Sequence, residues 1–479
     1  MSVHYNVGET KKRPGVFQRH SNTGFDTLSG AQDGVCAIPV QASWGPLGKV
    51  VKNTLKSELT KTYGAGVYGA GHTVPAAAAM FDGGAATVYT YRLGTGGTKA
   101  SKEITGGLTA TAKHPGTLAI SVAVKEKLGD STVKQFLVYA DNALVETWDF
   151  AADSKTEGAN LIAAAAGSNY VDITGEAATI PVLAVASGAL TGGANPNVTN
   201  EDYSKAFAAF EPYYYNAIAL DVDDDESMTL SLLLQAYKEN AYKLGKNGYA
   251  VVGEKTTVAF ETRCAHSKAF NDEKIAYLGG GYMAGTESKD GVMVICYTAG
   301  VIASTPSNQG ITHAVINGAT DLCEVLTYSQ YEQAIESGML MLSMAPDGSI
   351  WFDSGVNTLV NPDSGTQDAG WKKIRRTKVR FELFDRLDRA LSPKVGRVSA
   401  DTDGVADIVQ TGQRILDAMV AEGKLMAGAV FCEDPTKPRA GDSAWFLIQV
   451  DDIDSLEKIY MHYQFRYSQN SSRRSKQWL

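Results

Sequence analysis

The chain has 479 residues, enough for about three domains of ordinary size. Its net charge of −9 argues against a nucleic-acid-binding surface, which is normally basic, so we expect no nucleic-acid partner. The longest apolar run, at residues 292–303, is interrupted by Thr298 and Gly300 and is too short to span a bilayer, so we expect no direct membrane insertion.

The first 30 residues are predicted to form an extended N-terminal arm. Apolar and polar residues alternate at the start of the chain, as in a half-buried strand, and a second short apolar stretch follows Pro14-Gly15. The residues that would pair with another strand are Val3, Tyr5, Val7, Val16 and Phe17.

Residues 31–94 are predicted to form a small α/β domain. The pattern indicates a short apolar strand at residues 35–40 and a strand at 86–93. Two helices lie between them, at residues 57–63 and 76–81.

Residues 95–194 are predicted to form an inserted, mostly β outer domain. Glycine-rich linkers flank this segment, and inserted domains usually enter and leave the host domain at such points. Regular alternation at residues 118–124 predicts a strand, and the turn at residues 140–142 predicts a hairpin. A helix at 159–166 and a strand at 180–186 complete the predicted elements.

Residues 195–370 are predicted to form a central α/β domain with a mainly parallel sheet, because strand and helix patterns alternate along it. A hairpin is expected around Asp347-Gly348. The predicted strands are 216–222, 249–253 and 291–297, and the predicted helices are 228–244 and 272–278.

Residues 371–479 are predicted to form a C-terminal α/β core domain. Asp403 is expected to cap its second helix and Gly423 to end it. The basic clusters at residues 372–376 and 473–476 are interpreted as solvated faces or intersubunit salt bridges. The predicted elements are helices at 373–391 and 405–420 and strands at 428–432 and 444–451.

The chain is predicted to end in a second arm, a strand at residues 459–467. Apolar residues alternate with polar ones there, and those on the predicted inward face are Ile459, Met461, Tyr463, Phe465 and Tyr467. A terminal strand exposes unpaired N–H and C=O groups, so it must pair within its own body or with another molecule's sheet. The first option gives an ordinary monomer and the second gives a polymer.

No motif indicates a catalytic, cofactor or metal site. Residues 279–284 match the pattern G-x-G-x-x-A, but we expect a helix before them and a strand after them, opposite to the dinucleotide-binding order, so a plain loop is favoured. The acidic run at residues 221–226 lacks the central glycine of a calcium loop, and Leu232 takes the place of its bidentate glutamate. Acidic residues at the N-terminus of the next helix are the simpler interpretation.

Cysteine usage and the start of the chain bear on the compartment. Five cysteines lie far apart and form no CxxC pair, which is typical of a reducing environment. No apolar segment of the signal-peptide type follows Met1. We therefore expect a soluble protein made in a cytoplasm.

Several segments occur in a distinctive order along the chain. They are RPGVFQRHSN, GVCAIPVQASWGPLG, VYTYRLGTGG, LTGGANPNVTNEDYSKAFAAFEPYYYNAIALDV, DGVADIVQTGQRILDAMVAEGKLMAGAVF and DSLEKIYMHYQFRY. Their order resembles that in the sheath proteins of contractile tails, which occur in myophages and in phage-derived bacteriocin particles. The resemblance covers most of the chain and is weakest at residues 98–190.

The resemblance implies a structural subunit, without enzymatic activity or a cofactor. Such subunits stack as hexameric rings into a helical sheath around a tail tube and donate terminal strands to their neighbours. The sheath contracts from a metastable extended state and drives the tube through a cell envelope. The implied partners are other copies of the chain, the tail tube protein, and baseplate and tail terminator proteins. The implied location is the tail of a virion or of a phage-tail-like particle, assembled in the bacterial host cytoplasm.

Two other functions stay open from the sequence. One is an α/β nucleotide-binding protein or enzyme that uses the layer at residues 200–300, and the other is a different tail or capsid structural protein. The pairing of the terminal strands distinguishes an enzyme from a sheath subunit. An enzyme would pair both terminal strands internally, whereas a sheath subunit needs them free.

Overall fold

The computed structural model describes residues 33–465 except 70, 105–106, 154, 176–181, 183–184, 225 and 366, together with the backbone of two short strands nearer the N-terminus. Helices and sheets are mixed in several domains, which confirms the predicted α/β class. Within the described part of the chain, no helix combines the length and apolar character needed to cross a membrane.

The helices are distributed along the whole described chain. They are α1 Lys56–Tyr63, α2 Val74–Asp82, α3 Glu157–Ala164, α4 Asn200–Phe210, α5 Thr229–Lys243, α6 Phe260–Phe270, α7 Val292–Ser304, α8 Tyr328–Glu336, α9 Ile374–Leu391 and α10 Thr402–Ala421.

The strands fall into three groups along the chain. The first group is β1 Val3–His4, β2 Phe17–Gln18, β3 Val35–Val40, β4 Val50–Asn53 and β5 Thr87–Arg92. The second is β6 Ser101–Ile104, β7 Leu108–Ala112, β8 Ile120–Lys127, β9 Asp130–Ala140, β10 Ala143–Ala151, β11 Val171–Thr174 and β12 Val185–Ala189. The third is β13 Ala217–Ala219, β14 Tyr249–Gly253, β15 Ile275–Leu278, β16 Tyr282–Ala284, β17 Glu287–Lys289, β18 Asp321–Leu322, β19 Met339–Leu340, β20 Leu342–Met344, β21 Ile350–Phe352, β22 Val430–Glu433 and β23 Phe446–Gln449.

A seven-stranded sheet forms the centre of the molecule, in the order β19-β15-β14-β13-β3-β5-β4. Its neighbouring strands are parallel except for the β4–β5 pair. Every residue of β3 and β14 is buried, as expected for parallel strands covered on both faces. Helices α1, α2 and α7 cover one face, and α4, α5 and α6 cover the other.

The predicted boundary at residue 94 does not separate two sheets. Strand β3 pairs with β13 on one side and with β5 on the other, so strands from residues 35–92 and from residues 217–340 form one continuous sheet. The expectation of a separate small domain at residues 31–94 is wrong in this respect. The long insertion hides the connection, because it places about a hundred residues between strands that are close in space.

Two predicted elements in the central region have the wrong type. Residues 275–278 form strand β15 instead of a helix, and residues 292–304 form helix α7 instead of a strand. Helix α7 is buried on nearly all sides between the sheet and α2, so it lacks the polar face that reveals a helix in a sequence. The short helices α6 and α8 are absent from the prediction.

Glycines allow α2 and α7 to pack closely. A Cβ on Gly83 would lie 2.1 Å from the Tyr297 carbonyl oxygen, and a Cβ on Gly300 would lie 2.1 Å from the Met80 carbonyl oxygen. Because no side chain fits at either position, the two backbones come into direct contact. These contacts explain why the apolar run predicted as a strand at residues 291–297 is instead part of the central helix α7.

The insertion contains two β-sheets, with orders β10-β9-β8-β12 and β11-β7-β6. The hairpin β9–β10 turns at Asp141-Asn142, where both residues have positive φ (48° and 65°), as in a type I′ turn. The predicted strand at 180–186 lies largely outside the described residues. Trp44, from the part of the chain that precedes the insertion, stacks on Tyr170 of the insertion, with ring centroids 5.8 Å apart.

The C-terminal module consists of α9, α10 and the antiparallel hairpin β22–β23. Asp401 caps α10 by accepting the Gly404 N–H at 2.8 Å, so the predicted cap at Asp403 is two residues too late. Gly423, with φ of 71°, follows the last turn of α10 as expected.

Removing the insertion should leave the rest of the chain folded. The chain enters and leaves the insertion as an antiparallel pair, with N–H···O bonds between Thr95 and Asn197 of 2.9 and 3.1 Å, so Gly96 joined to Gly193 would close a short turn. The variant should also carry Trp44→Thr, because Trp44 loses its cover. We expect one cooperative thermal transition by circular dichroism and tubular polymers by microscopy. An insoluble or unfolded product would show that the insertion is part of the core.

Candidate inter-subunit interface

A parallel sheet of this kind usually binds ligands where the strand order reverses, at the carboxyl ends of the strands. Here that point lies between β3 and β13 and is filled by the chain's own residues. The fully buried Asp221 carboxylate accepts hydrogen bonds from Thr73 Oγ1 (2.5 Å) and Tyr203 Oη (2.7 Å). Burial raises the pKa of Asp221 to about 6. This network occupies the place where a nucleotide-binding layer would receive its ligand.

The glycine-rich loop at residues 279–281 also serves packing. It follows strand β15, so the expected preceding helix is wrong. The short strand β16 comes next, whereas the strand expected after the loop, at residues 291–297, belongs to helix α7. A Cβ on Gly279 would lie 2.3 Å from Met339 Sδ, and the Gly279 carbonyl accepts from the buried Arg263 guanidinium. These contacts are with the protein itself.

Two residues of the acidic run at 221–226 cap helices. Asp224 accepts the Leu230 and Ser231 N–H groups at the start of α5 (3.0 and 2.6 Å), and Asp223 accepts the Val292 N–H at the start of α7 (2.9 Å). The interpretation as acidic residues at a helix N-terminus is therefore confirmed. Among the described residues, no group of three or more His, Cys, Asp and Glu side chains is arranged to hold a metal ion.

Buried charged groups fix the C-terminal module to the central body. The Lys378 ammonium, on α9, donates to the carbonyl oxygens of Ile302 (2.6 Å) and Thr305 at the end of α7. Its burial lowers the pKa of Lys378 to about 8. Glu382, one turn further on, accepts from Lys424 at 2.8 Å. Because an unpaired buried charge is costly, these contacts hold α9 in one position on the body.

The chain after β23 is held along the start of α9 by ion pairs. Asp452 receives two bonds from the Arg376 guanidinium (2.5 and 2.7 Å), and Lys373 bonds Asp454 (2.8 Å) and Glu457 (3.0 Å). We call residues 452–457 the anchor. The basic cluster at 372–376 thus makes salt bridges within the chain, which corrects its interpretation as a solvated or intersubunit surface for these two residues.

The segment after the anchor, residues 458–465, contacts almost nothing. Four of its predicted inward-facing residues are highly exposed: Ile459 70%, Met461 68%, Tyr463 66% and Phe465 91%. It is not a strand in the isolated chain, and Tyr460, on the opposite face, is equally exposed. The predicted pairing with another molecule therefore stays a prediction. Tyr467 lies outside the described residues.

The predicted N-terminal site residues are only partly described. Val3–His4 and Phe17–Gln18 form a short parallel ladder with each other, which places Val3 opposite Phe17. Tyr5, Val7 and Val16 lie outside the described residues. The prediction that this arm pairs with a neighbour is not tested in an isolated chain.

The geometry defines a class of protein: a multidomain α/β protein with an inserted β domain and a C-terminal segment that is anchored at its base and otherwise unattached. Residues 196–358 match the family model described as the phage tail sheath protein central domain. This part of the chain is therefore similar to the central domain of phage tail sheath proteins, in agreement with the resemblance found in the sequence.

Known proteins resemble the chain over most of its length. The phage-like element PBSX protein XkdK of Bacillus subtilis (strain 168) is 24% identical, covering 96% of this chain and 98% of that protein. The crystal structure of the sheath tail protein Lin1278 from Listeria innocua has a TM-score of 0.69 at 20% identity, covering 88% of this chain and 96% of that one. The helical sheath of the anti-feeding prophage in its contracted state has a TM-score of 0.53 at 11% identity, covering 95% and 99%.

Replacing Asp221 by Asn should change the pH dependence of stability. The folded carboxyl binds its proton more tightly than the unfolded one, so its contribution to stability falls as pH rises from about 4 through 6. Two pKa units correspond to about 3 kcal/mol, of which about 1 kcal/mol lies between pH 5 and 7.5. Urea unfolding at these two pH values should show wild type losing that amount relative to Asp221→Asn.

The control for this measurement is Asp403→Asn, at an exposed position. It should follow the wild-type pH dependence. If Asp221→Asn shows the same pH dependence of the free energy of unfolding as wild type, ionisation of the buried Asp221 carboxyl does not destabilise the fold as expected.

Proposed function

We propose that this chain is the structural subunit of a contractile tail sheath. Copies of it polymerise helically, as stacked hexameric rings around a tail tube, and contract from a metastable extended state. Contraction drives the tube through a cell envelope. The chain is not an enzyme and uses no cofactor.

The observation that carries this proposal is the exposed C-terminal segment. Side chains at residues 452 and 454 and at residue 457 are bonded to the body, and from residue 458 onward the described chain is exposed. Ile459, Met461, Tyr463 and Phe465 together expose large apolar surfaces that a monomeric protein normally covers. A second copy of the chain is the partner that would cover them, by taking the segment into its own sheet.

Strand donation explains both assembly and movement. A segment given by one copy and received by the next makes a head-to-tail contact that does not close on itself, so it grows as a helical polymer. The donated segment stays joined to its own body through the polypeptide chain, so neighbouring copies remain connected while the bodies rotate. Energy for contraction then comes from exchanging one set of contacts between bodies for a more stable set, without a nucleotide.

The remaining partners follow from this role. The inner surface of the polymer contacts the tail tube protein, and its two ends contact baseplate and tail terminator proteins. The polymer belongs to the tail of a virion or of a phage-tail-like particle and is assembled in the bacterial host cytoplasm. The insertion at residues 95–194 lies on the outer surface, away from the tube.

Microscopy of the purified chain tests the proposal. We expect the full chain to form hollow cylinders in negative stain. A chain that ends at residue 458 should stay monomeric in sedimentation and retain its thermal transition, because the anchor remains complete. Discrete small oligomers from the full chain, or cylinders from the shortened one, would contradict the proposal.

Charge placed on the predicted inward face should block assembly. Tyr463→Asp would bury an unpaired carboxylate in the shared sheet, which costs several kcal/mol. Gln464→Asp, its neighbour on the opposite face, should assemble, because adjacent strand residues point to opposite faces. Both variants should keep the helical circular dichroism of wild type, since both positions are exposed in the isolated chain. Equal effects on cylinder formation would mean that no one-sided strand forms here.

A further inference from the structure

The start of helix α9 carries an excess of positive charge. Lys372 and Lys373 come directly before the helix, Arg375 and Arg376 lie in its first turn, and that turn contains no acidic residue. A helix N-terminus has a partial positive charge of its own, so cations there are unfavourable unless acids lie close by. The anchor supplies those acids from a distant part of the chain. Its contacts with the body fall into an inner and an outer part.

The inner part of the anchor is held by a backbone bond and by a shielded ion pair. Ile453 N–H donates to the Lys424 carbonyl at 3.0 Å. Its neighbour Asp452 is only 10% exposed and receives the two bonds from Arg376, and Arg380 lies 3.7 Å from the same carboxylate. Because this carboxylate is sheltered from solvent, salt screens its ion pairs little.

The outer part of the anchor, residues 454–457, has neither kind of support, and we call it the strap. Within the described residues, its backbone groups make no bond outside the strap, and Leu456 is 82% exposed. Its two carboxylates share the single Lys373 ammonium, and Thr312 adds one bond of 3.2 Å to the second of them. Exposed ion pairs contribute little to stability, so the strap is held weakly compared with Asp452.

A buried cation without a partner lies beside the strap. Arg375 is 8% exposed, and its Nε and Nη1 groups have no hydrogen-bond partner. A Cβ on Gly310 would lie 3.0 Å from Ser455 Oγ and 4.0 Å from Arg375 Cδ, so the strap and this side chain meet at the same loop. An unpaired buried guanidinium raises the free energy of this arrangement, whereas water would solvate the group once the strap has moved away.

Space for such a movement exists beside the strap. A groove with a volume of about 810 Å³ lies between the strap and helix α8. Tyr328 and Ile335 line it on the helix side, and Ser455 and Leu456 line it on the strap side. The strap can therefore move away from α9 into open space.

We propose that the strap detaches from the start of α9 as a unit while Asp452 stays bonded, and that the unpaired Arg375 guanidinium favours the detached state. Detachment lengthens the free C-terminal segment by four residues, up to about 14 Å. The segment thus has a short form and a long form with the same fixed base. This movement is a property of the single chain. Only its use, which is to adjust the reach of a donated segment while the bodies rotate, rests on the proposed function.

Proteolysis of the single chain tests this proposal. A lysine-specific protease must bind several extended residues on each side of the bond that it cuts, so cleavage after Lys458 requires a detached strap and its rate follows the detached population. The full-length chain carries Tyr463→Asp, so that a polymer does not shield the site. We expect Arg375→Met to slow this cleavage at least about tenfold, because the attached strap then covers no unpaired charge.

Two further variants on the same helix serve as controls. Arg389→Met removes the same charge at an exposed position near the other end of α9 and should leave the cleavage rate within about twofold. Lys373→Met removes the cation that both strap carboxylates bind, so it should speed cleavage. Thermal unfolding followed by circular dichroism checks that each variant is folded.

A disulfide gives a second measurement that does not depend on Arg375. Gly310→Cys combined with Ser455→Cys would lock the strap, because a disulfide also places one Cβ about 3.0 Å from the opposite sulfur. We expect the oxidised double variant to resist cleavage after Lys458 and the reduced one to be cleaved. Equal cleavage of the two forms, failure of the disulfide to form, or an Arg375→Met chain that is cut as fast as its parent would overturn the proposal.

The outcomes separate this inference from the proposed sheath function. Cleavage that responds to Arg375 and to the disulfide, in a chain whose wild type forms no cylinders, would keep the strap and reject the sheath. Cylinders formed by the wild type, together with cleavage that responds to neither change, would keep the sheath and reject the strap.

Discussion

The ion pair between Arg376 and Asp452 determines where the body of this molecule ends. The guanidinium makes two short bonds to a carboxylate that is only 10% exposed. Burial alone would raise the pKa of Asp452, but the bonds from Arg376 hold the pKa below its usual value, so the carboxylate stays charged. Strand β23 precedes this point and the free segment follows it. The point from which residues 458–465 extend depends on the Arg376–Asp452 ion pair, because a bidentate arginine–carboxylate contact fixes orientation as well as distance.

Much of the fold could be predicted from local patterns. The strands at Val35–Val40 and Tyr249–Gly253 have the predicted bounds, because short β-branched runs between turns indicate buried strands. Helix α10 was recognisable from its amphipathic spacing, since one side faces solvent. Helix α7 was not, because the sheet and α2 leave it no polar side. Where the surroundings are apolar on all sides, the period that separates helix from strand disappears.

The candidate interface was predictable in outline and not in detail. Alternating residues from Ile459 to Phe465 mark a segment that needs a partner, and this is visible in the sequence alone. The anchor is a tertiary feature: Lys373 and Arg376 lie some eighty residues before the acids that they bind. Opposite charge in the two stretches was a usable signal, but no local rule assigns them to each other.

The central sheet has the topology of ligand-binding α/β layers, and buried side chains of the protein itself lie at its switch point. Asp221, Thr73 and Tyr203 fill that point with a buried hydrogen-bonded network. A buried carboxylate with a pKa near 6 lowers the stability of the fold at neutral pH. Unlike a bound ligand, it is part of the chain and cannot leave the site. The network ties α2, α4 and the sheet together, so the fold keeps a rigid core. A rigid core fits the proposed role, in which each body moves as a unit.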